Sequence, residues 1–421
     1  CTHETYSFAF TPFNFPLFLC HICQRYTLQP RGELPGARVG HTCSYIPSSE
    51  HGELGKLAVV GGAHPHGNIT QTILLDLDKH TWCHPAWHGL RPRYEHTSFL
   101  LPTDNKHLWV FGGANTSGNL NSMQALDIDA GSWSNPEIRG VPPSPRTCHE
   151  AAALVGDRLF LWGGGEKGSA PVRDPKLHVF DTVSHIWSQP RTSGNPPPPR
   201  QGHTMVAVAS KVLIHGGMDG NNFMNDLHSL DTQSMAWSEI MTKGDVPQGV
   251  AAHSAVSFGS RVYMFGGLGE EGLSDKLHVL DTNNFVWTLI PIRGPSPASR
   301  LDFSMCLIPW KVHEDSSSSF NTGVLSEASG KTQDAIAQLP SVEQRARTVI
   351  GERSPDENQL DKGKIQDIDT KMNLLRLSSQ ESRDHSNQLE LGVHVIHLCF
   401  VFGGMDDKGN LFNDPAVIFI Q

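Results

Sequence analysis

Residues 412–421 read FNDPAVIFIQ, and the way this stretch lines up with an earlier one decides the fold. Set against MNDLHSLDTQSMAW at 224–237, Asn413 and Asp414 fall where Asn225 and Asp226 stand. The earlier stretch continues through Asp231 to Trp237, whereas the later one gives out after a single apolar run. One strand of the last unit is therefore expected from elsewhere. At four positions a residue of an Arg column follows a Trp by 13 residues (Trp133 to Arg146, Trp187 to Arg200, Trp237 to Val250, Trp287 to Arg300), and 13 residues before Arg38 lies Arg25, which opens RYTL. The N-terminal segment is expected to supply the missing strand, removing an open sheet edge and tying the two ends of the chain together.

The repeat behind this alignment has a period near fifty residues. A basic residue followed three positions later by His recurs at Arg38/His41, Arg93/His96, Arg146/His149 and Arg200/His203, with a fifth His at His253 beside Val250. Apolar runs ending in Gly-Gly follow: LAVVGG, LWVFGG, LFLWGG, VLIHGG, VYMFGG and, much later, CFVFGG. In five units an Asp is followed six residues on by Trp, giving Trp82, Trp133, Trp187, Trp237 and Trp287. Each unit holds four short β-branched or aromatic runs between Gly, Pro, Asn and Asp turns, which reads as a four-stranded antiparallel sheet.

This period, with its Gly-Gly and late Trp, resembles the kelch repeat, one unit per blade of a β-propeller. The fold expected is all-β: a six-bladed kelch propeller whose last blade is completed by the N-terminal strand. Paired glycines let the chain leave a buried strand with backbone angles that a Cβ forbids. The Trp fills space between neighbouring sheets. The recurrent Arg and His are expected to satisfy buried carbonyls between blades rather than bind a metal, because a residue repeated in every blade marks no unique site. Two positions break the columns: Val250 replaces Arg, and Phe303 replaces His with the loss of one inter-blade hydrogen bond, about 1 kcal/mol unless an apolar neighbour compensates.

From the fifth Gly-Gly to the sixth the interval is far longer than fifty residues, so an insertion splits the last unit between its first two strands. The organisation expected is a non-native or disordered start at 1–23, the closing strand with repeats one to five and the first strand of repeat six at 24–310, a disordered insertion at 311–392, and the remainder of repeat six at 393–421. The insertion is rich in Ser, Asp, Glu, Gln and Lys and poor in aromatics, a composition that does not offset its own ordering entropy. Its Ser316–319 run and Ser354-Pro355 are candidate phosphorylation sites.

A net charge of −10 and a pI near 6.1 argue against nucleic-acid binding. Eight scattered cysteines point to a reducing compartment and a cytoplasmic location, and the lone C-x-x-C at Cys20 and Cys23 is half of a structural zinc site at most. The aromatic start lacks a basic n-region and its apolar run is too short to span a bilayer. No P-loop, H-E-x-x-H, G-x-S-x-G or dinucleotide fingerprint occurs, so no enzyme, cofactor or metal is expected.

At the residue level ARVGHTCSY, PRYEHTSFL, PSPRTCHEAAA, KLHVFD, GNPPPPRQGH and RLDFSMCLIPW, followed by the insertion and a resumed VFGGM, resemble the family of Rab effector proteins with kelch motifs. The resemblance runs from about Tyr26 to the C-terminus. It implies binding to the GTP-loaded late-endosomal Rab GTPase, with peripheral recruitment to endosomal membranes, in support of endosome to trans-Golgi transport and mannose 6-phosphate receptor recycling. The loops after each Gly-Gly form one face by symmetry, and the third, the longest, offers Glu166, Lys167 and Arg173 as partner-binding residues. A substrate adaptor for ubiquitin ligation is the competing reading.

Overall fold

In the computed structural model, residues 23–101, 103–147, 149–293, 297–313 and 393–420 are described. The chain divides into a unit of Cys1–Val312 with His394–Gln421 and a unit of His313–Val393, of which only the two end residues are described. The expectations for 1–22 and for the insertion at 314–392 lie outside the described residues. Strands extend slightly past the expected boundaries: one begins at Cys23 and another continues to His313.

The described residues carry six sheets of four or five strands, beside short two- and three-stranded pairings in the loops. Sheet one consists of Thr42–Ile46, Lys56–Val60, Thr72–Asp76 and Thr81–Cys83 in simple up-and-down order, and the other sheets repeat this plan. Burial alternates along the first strand, while the second and third strands are buried on both faces, as expected for sheets stacked face to face.

The closing strand lies where the Trp-to-Arg spacing puts it. Cys23–Thr27 pairs antiparallel with Ala416–Phe419, Arg25 standing opposite Ile418, so FNDPAVIFIQ ends beside the chain's own beginning. Closure around the ring is explicit in the hydrogen bonds. The N–H of the second glycine in each Gly-Gly donates to the carbonyl at the next sheet's Arg position: Gly62 to Arg93, Gly113 to Arg146, Gly164 to Arg200, Gly217 to Val250, Gly267 to Arg300 and Gly404 to Arg38, all at 2.8–3.0 Å. The last of these joins sheet six to sheet one. Val250 keeps its place because the link uses only backbone.

Each tryptophan of the repeat column packs on the sheet before its own. Ring centroids lie 5.9 Å apart for Trp82 and Phe402, 4.9 Å for Trp187 and Phe111, 5.2 Å for Trp237 and Trp162, and 5.1 Å for Trp287 and His215. Trp133 joins Ala58, Val60 and Leu74 of sheet one. Between sheets five and six, with no Trp in the column, Phe265, Leu277 and Ile290 meet Met305, Val401 and Ile418. Phe303 occupies the His slot there with its ring edge-on to Phe265 at 5.7 Å, the apolar compensation for the lost hydrogen bond.

The four-stranded plan of each unit omits an outer fifth strand. Arg139–Gly140, Ser193–Gly194 and Lys243–Gly244 pair parallel with the Trp strand of the following sheet, and Ile292–Arg293 does the same with Cys23–Gln24. Each connector thus covers the outer edge of the sheet it enters. A Cβ on Gly140 or Gly194 would collide with the carbonyl of Trp187 or Trp237, and both glycines have positive φ. The sequence signal for this strand is a glycine six residues before Arg38, Arg146, Arg200, Val250 and Arg300.

Candidate partner-binding face

Strand register places the repeat columns at one end of the ring. Thr97 pairs with Phe111 and Thr204 with His215, so the start of each first strand lies beside its sheet's Gly-Gly. The Arg and His columns, the Gly-Gly loops and the mouth of the central axis therefore share one face.

The arginines satisfy buried carbonyls, but within their own sheets rather than between neighbouring ones. Arg38, Arg93, Arg146, Arg200 and Arg300 are buried, and each donates through Nη1 to the carbonyl of the first glycine of a Gly-Gly: Gly61, Gly112, Gly163, Gly216 and Gly403. Arg200 and Arg300 add bidentate ion pairs to Asp226 and Asp414. Asp226 is held well below the usual carboxylate range by its bonds from Arg200 and His228, against the opposing effect of burial.

The histidines depart from the expectation. His96 and His253 reach the hydroxyls of Thr42 and Thr204 at 3.1 Å rather than carbonyls. The rings of His41 and His203 are buried over Gly403 and Gly163, near the carbonyls of Phe402 and Trp162 but without a well-aligned hydrogen bond. The first glycine of these pairs leaves room for an imidazole from the next sheet. Burial, then neighbouring charge, lowers these pKa values, to about 3 for His203. All are neutral at physiological pH.

His149 does not join its column. Glu150 carries positive φ (58°), the conformation held by Glu95, Ala252 and Asp302 just before the His slot in other sheets, and His149 bonds the His41 carbonyl across the ring at 3.0 Å. The third segment therefore runs out of phase and projects towards the axis, where Glu150 bonds Ser254.

The axis mouth is acidic, a feature that the repeat columns do not announce. Gly40, Glu95, Ala252 and Asp302 link neighbouring sheets by backbone bonds: Glu95 to Gly40, Gly40 to Asp302 and Asp302 to Ala252. Burial raises the pKa of Glu95, and burial together with the Glu95 charge raises that of Asp302. Burial pushes Glu150 up to about 8. The sequence signal is an acid, Glu95 or Asp302, at a left-handed position where Gly40 and Gly202 show that glycine fits without strain. Among the described residues no group of three or more His, Cys, Asp or Glu is placed to hold a metal.

Outside the mouth, the Gly-Gly loops form the rim. The third loop is a hairpin of Gly165–Lys167 and Ala170–Pro171, with Glu166 exposed. Arg173 lies on its return and makes a bidentate pair with Asp219 of the fourth loop at 2.8 and 2.9 Å. Asn119 of the second loop donates to the carbonyls of Gly165 and Glu166, and the Gln201 side chain donates to the Gly168 carbonyl. Loops two, three and four are thus joined into one continuous, preorganised stretch of rim, which holds Glu166, Lys167 and Arg173 on a common support.

Comparison with known proteins agrees with the geometry. The KLHDC2/KLHL20/DRC7 Kelch-repeats domain family matches residues 17–156 and 149–313. The chain is 49% identical over 396 residues to the Rab9 effector protein with kelch motifs of Xenopus laevis, covering 94% of this chain and 95% of that protein. The chain belongs to the family of Rab9 effector proteins with kelch motifs. The mouse member is 44% identical over 399 residues, covering 94% of this chain and 93% of its own length. The human member is 50% identical over 202 residues, covering 48% and 54%. The family-model match runs from before the closing strand to the first strand of sheet six.

Proposed function

We propose that this chain is a non-enzymatic Rab effector that binds the GTP-loaded form of Rab9 through the Gly-Gly face. The reading rests on the family's name, and the structural observation that carries it is the rim bonded together across loops two, three and four. A rim whose loops are hydrogen-bonded to each other loses little conformational entropy on association, which favours recognition of the nucleotide-sensitive switch segments of a GTPase. Glu166, Lys167 and Arg173 are the proposed contacts, with Asp219 setting the orientation of Arg173. In the cell such binding recruits the chain from the cytoplasm to the periphery of late endosomes and supports transport to the trans-Golgi network, including mannose 6-phosphate receptor recycling. Among the described residues no helix is long and apolar enough to cross a membrane. Capture of Rab9 loaded with a GTP analogue or with GDP, beside an unrelated Rab, tests the reading. Selective retention of the GTP form is expected; equal or absent retention by folded chain overturns it.

A further inference from the structure

Sheet five differs from its neighbours at one slot. In sheets three, four and six the arginine donates both to a Gly-Gly carbonyl and to an aspartate: Arg146 to Asp174, Arg200 to Asp226 and Arg300 to Asp414. His178 and His228 donate through Nε2 to the same aspartates in sheets three and four. Sheet five has Val250 in the Arg column and Lys276 where sheet four has Asp226, each five residues before the strand-ending Asp281 or Asp231. The arginine is gone, a lysine stands where sheet four has its aspartate, and the glycine carbonyl that the arginine bonds elsewhere remains.

The result is a cavity of about 340 Å³, lined by Val250, Gly266, Leu273, His278 and Leu289 among others. Gly266 is the glycine whose counterparts Gly163, Gly216 and Gly403 accept from an arginine, and here no described donor bonds its carbonyl. His278, which borders the cavity, is 8% exposed and stands in the column of His178 and His228, whose Nε2 atoms face this slot in sheets three and four. Burial, then the nearby Lys276 charge, lowers its pKa to about 4, so the ring carries an acceptor nitrogen at neutral pH. Asp245, Glu271 and Asp275 also border the cavity, against the single cation Lys276. Val250, Leu273 and Leu289 give one wall an apolar surface.

We infer that this cavity receives an arginine side chain presented by a partner polypeptide, its guanidinium taking the place that Arg200 fills in sheet four. A planar fork of donors suits separated acceptors, the Gly266 carbonyl and the carboxylates at the cavity's edge, better than a compact ammonium does, as Arg200 shows with Gly216 and Asp226. The aliphatic stem lies against the valine and leucines. A carboxylate ligand is disfavoured by three acidic neighbours and a bare carbonyl. The site is independent of the partner's identity, so a small probe tests it.

N-acetyl-arginine methylamide is titrated into the full chain, with the citrulline and lysine analogues alongside, and the methyl resonances of Val250, Leu273 and Leu289 are followed by NMR. Saturable shifts are expected in the millimolar range for the arginine probe, severalfold weaker for the lysine analogue and weakest for citrulline. The double substitution V250R/K276D rebuilds the ion pair of sheet four inside the cavity and is expected to abolish the shifts. Lys276→Glu, which leaves the cavity open, is expected to tighten binding severalfold. Shifts as large with citrulline as with arginine, no saturable shifts, or binding that Lys276→Glu leaves unchanged would each overturn the assignment.

Discussion

Sheets four and five have the same strand lengths and the same register, Thr204 opposite His215 in one and Ser254 opposite Phe265 in the other. Each receives the same backbone bond from the glycine of the sheet before it, Gly164 to Arg200 and Gly217 to Val250, and each sends a tryptophan into that sheet. Yet sheet four carries a buried Arg200–Asp226–His228 network and sheet five carries a cavity. The difference shows what the fold requires. Backbone links and apolar packing specify the sheet, and the ionic network is an insert that the sheet holds when both partners are present and lacks when both are absent. This agrees with the general behaviour of buried ion pairs, whose joint replacement is often neutral and whose half-removal is costly.

The comparison breaks most visibly at the tryptophans, which both sheets share. Trp237→Ala and Trp287→Ala are each expected to destabilise by about 3–5 kcal/mol, since each leaves a void between sheets. Urea denaturation checks this, and a large effect in only one of the two sheets would show that they are not equivalent.

A second contrast is in the pH dependence. Glu150 has its pKa raised to about 8, so its contribution to stability is fully present below the ordinary carboxyl pKa and is lost as pH rises through about 8. Asp226, held low by Arg200 and His228, contributes above the ordinary range and loses that contribution as pH falls. Glu150→Gln is expected to reduce the loss of melting temperature between pH 6 and pH 8, with Asp302, raised to about 8 by burial and the Glu95 charge, carrying the remainder. Asp226→Asn is expected to leave that loss in place and to flatten the acid side instead. Thermal melts across the range distinguish the two.

Rebuilding the pair in sheet five is a smaller effect. V250R/K276D is expected to stabilise by about 0.5–2 kcal/mol, the usual yield of filling a cavity with satisfied groups. Smaller again is the exposed pair on the rim: Arg173→Ala is expected to change stability by at most about 1 kcal/mol. Its effect on Rab9 affinity should exceed its effect on stability if Arg173 contacts the partner, and binding assays beside melts separate these.

The ring and its closure are legible in the sequence because they rest on fixed spacings. Asp to Trp at six residues and Trp to Arg at thirteen are set by strand and turn lengths that each sheet repeats, and these spacings alone put Arg25 beside the last strand, where it stands opposite Ile418. The side-chain sites are less legible. His149 matches its column by spacing from Arg146 but lies out of phase, because the left-handed residue follows it as Glu150 instead of preceding it as Glu95 precedes His96, and spacing does not encode backbone conformation. The acidic mouth is hidden because Glu95, Glu150 and Asp302 come from three different repeats and meet only when the ring closes. The cavity in sheet five depends on two absences, Arg at Val250 and Asp at Lys276, of which only the first falls in a column that the repeat makes obvious. Glu166 and Arg173 are visible as charged loop residues, whereas the bonds from Asn119, Gln201 and Asp219 that join their loop to its neighbours are not.

The separability of the ionic network from the sheet is tested most directly by a double-mutant cycle in sheet four. Arg200→Val, Asp226→Lys and the two together convert its slot to that of sheet five, and the unfolding free energy of each is measured in urea. Arg200→Val alone is expected to cost about 1–3 kcal/mol, because it leaves the half-buried Asp226 carboxylate with His228 alone and the buried Gly216 carbonyl without its arginine donor, and the double variant is expected to cost less than that single change. A double variant whose cost equals or exceeds the sum of the two singles would show that the network is part of what makes the sheet fold, and would contradict the account.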